Sequence, residues 1–295
     1  MSEPLVIEFT RFSAFYTPLI ATIAGGFLQE EGFAPKHQVS APGKSAIASL
    51  VDGSVQVAQS APSQAFGPLE KGEKPPVLHF AQINEMDGFF ITGRKPEPDF
   101  TWGRLKGKRV LADHGGQQPL AMFKYACFKS GLDYNDIVSL DVPSNEMDAA
   151  FRNGEGDYIH QQGPAPQQLE HDGVGHIVAK CGPAIGPCAF SSICATPAWL
   201  ATEQAKRFMR AYRKARAWII ATPAAEIAKA EKAYFPDIDI AVLTATIAAY
   251  QTLGNWSPGV EITREGWEAT NDIFLHSKLI TKRHPYEAGV AQPPA

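Results

Sequence analysis

The sequence predicts a two-lobed α/β protein with two mostly parallel sheets, a hinge, and a cleft between the lobes. Three observations predict it. Short apolar runs alternate with helix-like stretches of about ten residues over the first two-thirds of the chain, which is the signature of βαβ units. Segments rich in Pro and Gly break that pattern twice, at 95–103 and at 181–187. Past the second break the chain turns helical. One α/β unit is therefore interrupted by another and then resumed. The expected lobes are 1–95 together with 188–295, and the inserted 96–187.

The elements follow in order. A strand over 5–9 leads through a loop to an apolar helix over 17–30, stopped by Gly32. A strand over 36–40, a helix over 44–51 ending at Asp52-Gly53, and a strand over 55–59 come next. Pro62 then stands where a first helical turn tolerates proline, and that helix runs to Glu70. Strands over 77–83 and 88–92 complete the first unit. The inserted unit reads strand 109–112, helix 117–130, strand 137–142, helix 145–152, strand 157–160, helix 165–170 and strand 176–179. The remaining helices span 205–221, 224–233, 240–253 and 264–276. In the first of these Phe208, Ala211, Tyr212, Ala215 and Ile219 form one apolar face. Lys206, Arg207, Arg210, Arg213, Lys214 and Arg216 are expected on a solvated opposite face.

Composition narrows the function. Lys plus Arg number 27 and Asp plus Glu 31, a net charge of −4, which excludes a broadly basic nucleic-acid binder. No run approaches the roughly 18 apolar residues of a membrane helix, so no membrane insertion is expected. Met1-Ser2-Glu3-Pro4 lacks the basic start of a secretion leader, and a strand begins at once. Cys127, Cys181, Cys188 and Cys194 form no CxxC pair, and no spaced His/Cys signature suggests a metal. No GxGxxG or Walker loop is present, so no nucleotide cofactor is expected.

In open parallel sheets ligands sit outside the carboxyl ends of the strands. The loops to watch are 10–16, 41–45, 59–62, 84–87, 113–118, 143–146, 160–164 and 186–191. Asp113-His114-Gly115-Gly116-Gln117-Gln118 follows a strand and opens a helix, so backbone N–H groups and polar side chains meet there. His160-Gln161 ends another strand on the same rim. Phe12 and Tyr16 are candidate stacking rings, and Gln59-Ser60 candidate hydrogen-bonding groups at a strand end. Lys44 opens a helix, either as a surface residue or as a cation for a ligand. No Gly-x-Ser-x-Gly elbow offers a serine nucleophile.

Several segments resemble a known family. The run from Pro18-Leu19-Ile20-Ala21 to Gly26-Phe27-Leu28-Gln29-Glu30-Glu31-Gly32 looks like its first helix. The segment Leu50-Val51-Asp52-Gly53-Ser54-Val55-Gln56-Val57-Ala58 resembles its short strand after a glycine turn. Leu105-Lys106-Gly107-Lys108-Arg109-Val110 is similar to the start of its second domain. Phe190 to Thr196, Trp199-Leu200 and Arg207 to Tyr212 look like its return crossing. The family is that of ABC-importer solute-binding proteins for thiamine-precursor pyrimidines, sulfonates, taurine or nitrate, with the type II periplasmic-binding-protein fold. The resemblance covers about 250 residues. It implies a monomer that closes about a hinge on a small molecule, hands it to an ABC permease, and needs no cofactor or metal. A periplasmic location follows if a leader has been trimmed, and a cytoplasmic one if Met1 is the start. The residues then expected on the ligand are Phe12, Tyr16, Gln59, Ser60, Asp113, His114, Gly115, Gly116, Gln117, His160 and Gln161, around a flat, pyrimidine-like heterocycle.

Enzymes share the same fold. Gly186-Pro187-Cys188-Ala189-Phe190-Ser191 is similar to a cysteine-rich segment of yeast-type hydroxymethylpyrimidine phosphate synthases, which carry a lysine-bound pyridoxal phosphate. Their lysine and histidine are expected just after 55–58, where this chain reads Gln59-Ser60-Ala61-Pro62-Ser63-Gln64. Aromatic sulfinate desulfinases carry a cysteine in the first loop, which here reads Arg11-Phe12-Ser13-Ala14-Phe15-Tyr16. A cytosolic enzyme or sensor stays the alternative to transport.

Overall fold

A computed structural model describes residues 2–41 and 44–295; Met1 and, within the expected loop 41–45, Pro42 and Gly43 lie outside them. Among the described residues the strands are β1 (Glu3–Phe9), β2 (Phe33–Val39), β3 (Val57–Ser60), β4 (Leu78–Asn84), β5 (Phe89–Gly93), β6 (Arg109–Leu111), β7 (Val138–Leu140), β8 (Tyr158–Gln162), β9 (His176–Lys180) and β10 (Ser191–Ala195). They form two five-stranded sheets, in the orders β2-β1-β3-β10-β4 and β7-β6-β8-β5-β9. Each sheet has one strand running against its neighbours. β10 pairs antiparallel with β3 and β4, and β5 antiparallel with β8 and β9. These two are the first strands after each crossing between lobes. They enter their sheets from the cleft, whereas β1, β3 and β8 end there.

The lobes part earlier than residue 95. Phe89–Gly93, expected in the first lobe, is hydrogen-bonded into the second sheet. An apolar run carries no mark of which sheet will take it, and the Pro-rich loop that looked like a boundary comes one strand after the crossing. The two crossings are residues 85–88 and 181–190. The expected helix over 17–30 breaks in two, Thr17–Ala24 and Phe27–Glu30, because Gly26 adopts φ 79°.

The helix Glu203–Ala221 is capped by Thr202, whose hydroxyl accepts from the Ala205 N–H. Its apolar face is buried as its spacing predicts. Most of its basic face is tied down on the surface: Arg207 to Glu3, Arg210 to Glu31, Lys214 to Glu30 and Glu31. Arg216 departs from the expected solvated face, with a side chain that is 0% exposed.

Four buried titratable groups set an acid-range balance. Burial pushes His79 and His160 down to about 3. It pushes Asp87 up to about 7 and holds Glu231 well above the carboxylate range. Below the ordinary histidine range the unfolded chain binds two protons that the folded one lacks, so acid destabilises. Above the ordinary carboxylate range the folded chain keeps two protons that the unfolded one releases, so rising pH destabilises. Between about pH 4.5 and 6.5 the two effects oppose. Asp87→Asn removes one proton from the folded side. Its unfolding free energy, compared with that of the parent by urea titration at pH 4.5, 5.5 and 6.5, is expected to fall by an extra ~1.4 kcal/mol per pH unit of acidification. Parallel pH profiles for parent and variant would show that Asp87 is ionised in the fold.

Candidate ligand-binding cleft

A cleft of about 480 Å³ lies between the lobes. The first lobe supplies Thr10 and Arg11 beyond β1, Tyr16, Ser40, Lys44, Gln59 and Ser60 at the end of β3, Gln64, and Ser191 at the start of β10. The second supplies Phe89 at the start of β5, Gln162 at the end of β8, and Gly115 to Gln118 at the head of the helix Gln117–Lys129. Phe190 comes from the return crossing. The cleft thus sits where strands end or begin, the place the topology rule assigns to ligands.

The wall is set by local hydrogen bonding. Gln59 Oε1 accepts from Thr10 N at 3.1 Å and Thr10 Oγ1 at 2.7 Å, which fixes one side of the floor. Gln118 accepts from Ser63 Oγ at 2.6 Å and donates to the Phe190 carbonyl at 2.7 Å. It is therefore spent on joining the second lobe to the first. Tyr16 is 5% exposed, with its hydroxyl pushed up to about 12 chiefly by burial. Gln162 is 7% exposed; its side chain faces the Tyr16 hydroxyl and opposes the rise in that hydroxyl's pKa, while Nε2 has no partner at full hydrogen-bond distance. A buried donor left unmet is costly unless a ligand or water meets it.

One ion pair spans the cleft. Arg11 Nη1 donates to Asp113 Oδ2 at 2.8 Å. Burial works against the charge on each partner. For Asp113 the Arg11 hydrogen bond and charge, with further donors from Ser144 Oγ and Gly115 N, outweigh it and hold the carboxyl below its usual range. For Arg11 the hydrogen bond and charge of Asp113 outweigh it and hold the guanidinium pKa above its usual value. Lys44, at the rim, lies 3.6 Å from Asp52.

Of the residues expected on the ligand, Tyr16, Gln59, Ser60, Gly115, Gly116 and Gln117 line the cleft together. Five do not. Phe12 stacks on His37 at 5.1 Å and packs against Phe9 and Phe235. Asp113 is turned into its ion pair and the Gly115 N–H. His114 lies against Ser139, with Nε2 3.2 Å from Oγ. His160 is fully buried between the rings of Phe89 and Phe123, each at 4.6 Å. It stands behind the aromatic wall rather than in it. Gln161 points to the other face of β8 from Gln162, as period-two alternation requires.

Sequence reasoning missed Thr10, Arg11, Ser40, Gln64, Phe89, Gln162, Phe190 and Ser191 as lining residues. All but Ser40, Gln64 and Phe89 belong to loops that the topology rule had already marked. Within a loop, residue type was the guide, and it does not fix side-chain direction. Among the described residues no three His, Cys, Asp or Glu groups gather as a metal site. The four cysteines are free and buried. Burial pushes the thiols of Cys127 and Cys194 up to about 12 and those of Cys181 and Cys188 higher, which removes them as thiolate nucleophiles.

Comparison with known proteins agrees with this geometry. The chain is 29% identical over 97% of its length to YtlA of Bacillus subtilis (strain 168), a provisionally named binding protein, and covers 86% of it. Its fold matches the alkanesulfonate-binding protein SsuA from Xanthomonas axonopodis pv. citri, bound to MOPS. That match has a TM-score of 0.74 and 18% identity, over 99% of this chain and 100% of the other. It also matches the periplasmic aliphatic sulphonate binding protein SsuA from Escherichia coli, with a TM-score of 0.75 and 16% identity over 99% and 93% of the two chains. The family model for NMT1/THI5-like proteins matches residues 14–226. With both sheets and the cleft inside or flanking that span, the chain belongs to the NMT1/THI5-like family.

Proposed function

We propose that this protein is the solute-binding component of an ABC importer, and that its cleft closes on a small planar heterocycle of pyrimidine type. Transport is supported by the two-lobed architecture shared with sulfonate-binding proteins and by the relation to a Bacillus binding protein. It carries with it a periplasmic location and a permease partner. Among the described residues no helix is long and apolar enough to cross a membrane.

The observation that carries the ligand class is the set of aromatic and neutral carboxamide side chains that line the cleft together. Tyr16, Phe89 and Phe190 offer ring surface, and Gln59, Gln64, Gln117 and Gln162 are neutral side chains with donors and acceptors. A pyrimidine edge alternates donors and acceptors and has flat faces, so it matches both sets. The cleft's arginine is already neutralised by Asp113.

A sulfonate is the second reading. The Gly115 and Gly116 backbone at the head of a 13-residue helix, with Lys44 at the rim, favours it. Calorimetric titration with the aminopyrimidine half of thiamine and with ethanesulfonate separates the two. Binding of the pyrimidine, weakened about five- to tenfold by Tyr16→Ala, is the expected result. Binding of the sulfonate alone overturns the pyrimidine assignment and leaves transport standing. Conversion of either compound to product overturns transport.

A further inference from the structure

A second pocket, of about 680 Å³, opens at the other end of the helix whose head lines the cleft. One wall is Lys124 and Phe128 on that helix, with Tyr134 after it. The other is His276 and Lys278, where the helix Arg264–His276 ends. The walls belong to different lobes, and rings bridge them: His276 lies 4.4 Å from Phe128 and 5.4 Å from Tyr125.

Two features of this pocket lack an explanation in the fold. Phe128 is 56% exposed, a large ring turned toward water within a concave surface. Lys124 and Lys278 make no ion pair among the described residues; Lys124 Nζ instead lies 5.1 Å over the Tyr134 ring. Asp133, the one carboxylate in the wall, accepts from Asn135 N at 2.9 Å, so the wall sets two ammonium groups against one carboxylate. Lys278 is also the one non-glycine residue with positive φ, 56°, among those described. It closes the helix in a left-handed turn, with Leu279 N donating to the Phe274 carbonyl at 2.9 Å, and the turn carries the lysine to the pocket.

We propose that this pocket is a second small-molecule site, bridging the lobes, that takes a small aromatic carboxylate. The ring of such a ligand packs on Phe128 and His276, and its carboxylate meets the ammonium groups of Lys278 and Lys124. The proposal rests on this pocket alone and not on the identity of the cleft's ligand.

The test is fluorine NMR titration of 4-fluorobenzoate into the whole protein and three variants. Lys278→Gly removes the cation while suiting the left-handed backbone, so the fold survives. Phe128→Ser removes an exposed ring. Gln117→Ala alters the cleft alone. Saturable binding to the parent and to Gln117→Ala with equal affinity, weakened at least fivefold in Lys278→Gly and Phe128→Ser, is expected. Three outcomes overturn the proposal: no saturable binding to the parent, unchanged affinity in Lys278→Gly and Phe128→Ser, or loss confined to Gln117→Ala. The last would place the probe in the cleft, and none of them bears on the importer reading.

Discussion

Replacing Arg216 with methionine is expected to destabilise the protein by about 3–5 kcal/mol, read as a lower urea midpoint. The guanidinium is completely enclosed. It donates to Ser257 O at 2.7 Å, to Gln82 O at 3.1 Å, to Ile83 O at 3.0 Å and to the Glu85 carboxylate. Those acceptors lie at the end of β4, in the crossing that follows, and in the loop after the helix Ile240–Leu253. One side chain therefore satisfies carbonyls from three segments at the hinge. Methionine fills much of the volume but donates nothing. The Ile83 and Ser257 carbonyls then lose this donor, and a three-quarters-buried carboxylate loses its cation, although Tyr212 still donates to Gln82 O and Ser257 to Glu85. Arg216→Lys keeps the charge and loses the planar fork, so it recovers only part of the loss. A midpoint shift worth under 1 kcal/mol in Arg216→Met would show that water replaces the network.

The second large effect concerns closure. Arg11→Ala is expected to weaken ligand binding about tenfold, with a smaller change in thermal stability, by calorimetry on parent and variant. Arg11 comes from the first lobe and Asp113 from the second, so their 2.8 Å contact exists only when the lobes are together. The arginine side chain is 36% exposed, and solvent screening lowers its worth below that of a fully buried pair. About 1.4 kcal/mol taken from the closed form reduces the binding-competent population tenfold. The pH dependence has a fixed sign. Asp113 is held below its ordinary range in the fold, so its contribution is present above that range and is lost as pH falls through the lowered value. Equal affinity in Arg11→Ala would mean that the ion pair does not report closure.

Much of the fold was legible because apolar runs and glycine stops mark strands and helix ends locally. The order of strands in each sheet was not, since Phe89–Gly93 reads as a strand in either lobe. Arg216 was placed on a solvated face because helical periodicity sees only its own helix. The crossing segment that covers it lies some 130 residues away in sequence. In the site, most of the marked loops line the cleft, and six of the eleven named side chains or glycines do so too. His160 and Phe12 have the chemistry of ligand contacts, yet both are used up by aromatic neighbours. Gln162 differs from Gln161 by one position, and the pleat decides between them.

The sheet order has a consequence for how the chain comes off the ribosome. The second sheet is contiguous in sequence, with all its strands between residues 89 and 180. The first sheet is not: β10 lies between β3 and β4 and is made last. Until residues 191–195 emerge, β3 presents an open edge and β4 has no strand partner. The lobe encoded in the middle can thus complete its hydrogen bonding while the lobe encoded first still waits. Exposed edges of this kind are where nascent chains pair wrongly, so the first eighty residues are the segment most in need of a chaperone during synthesis.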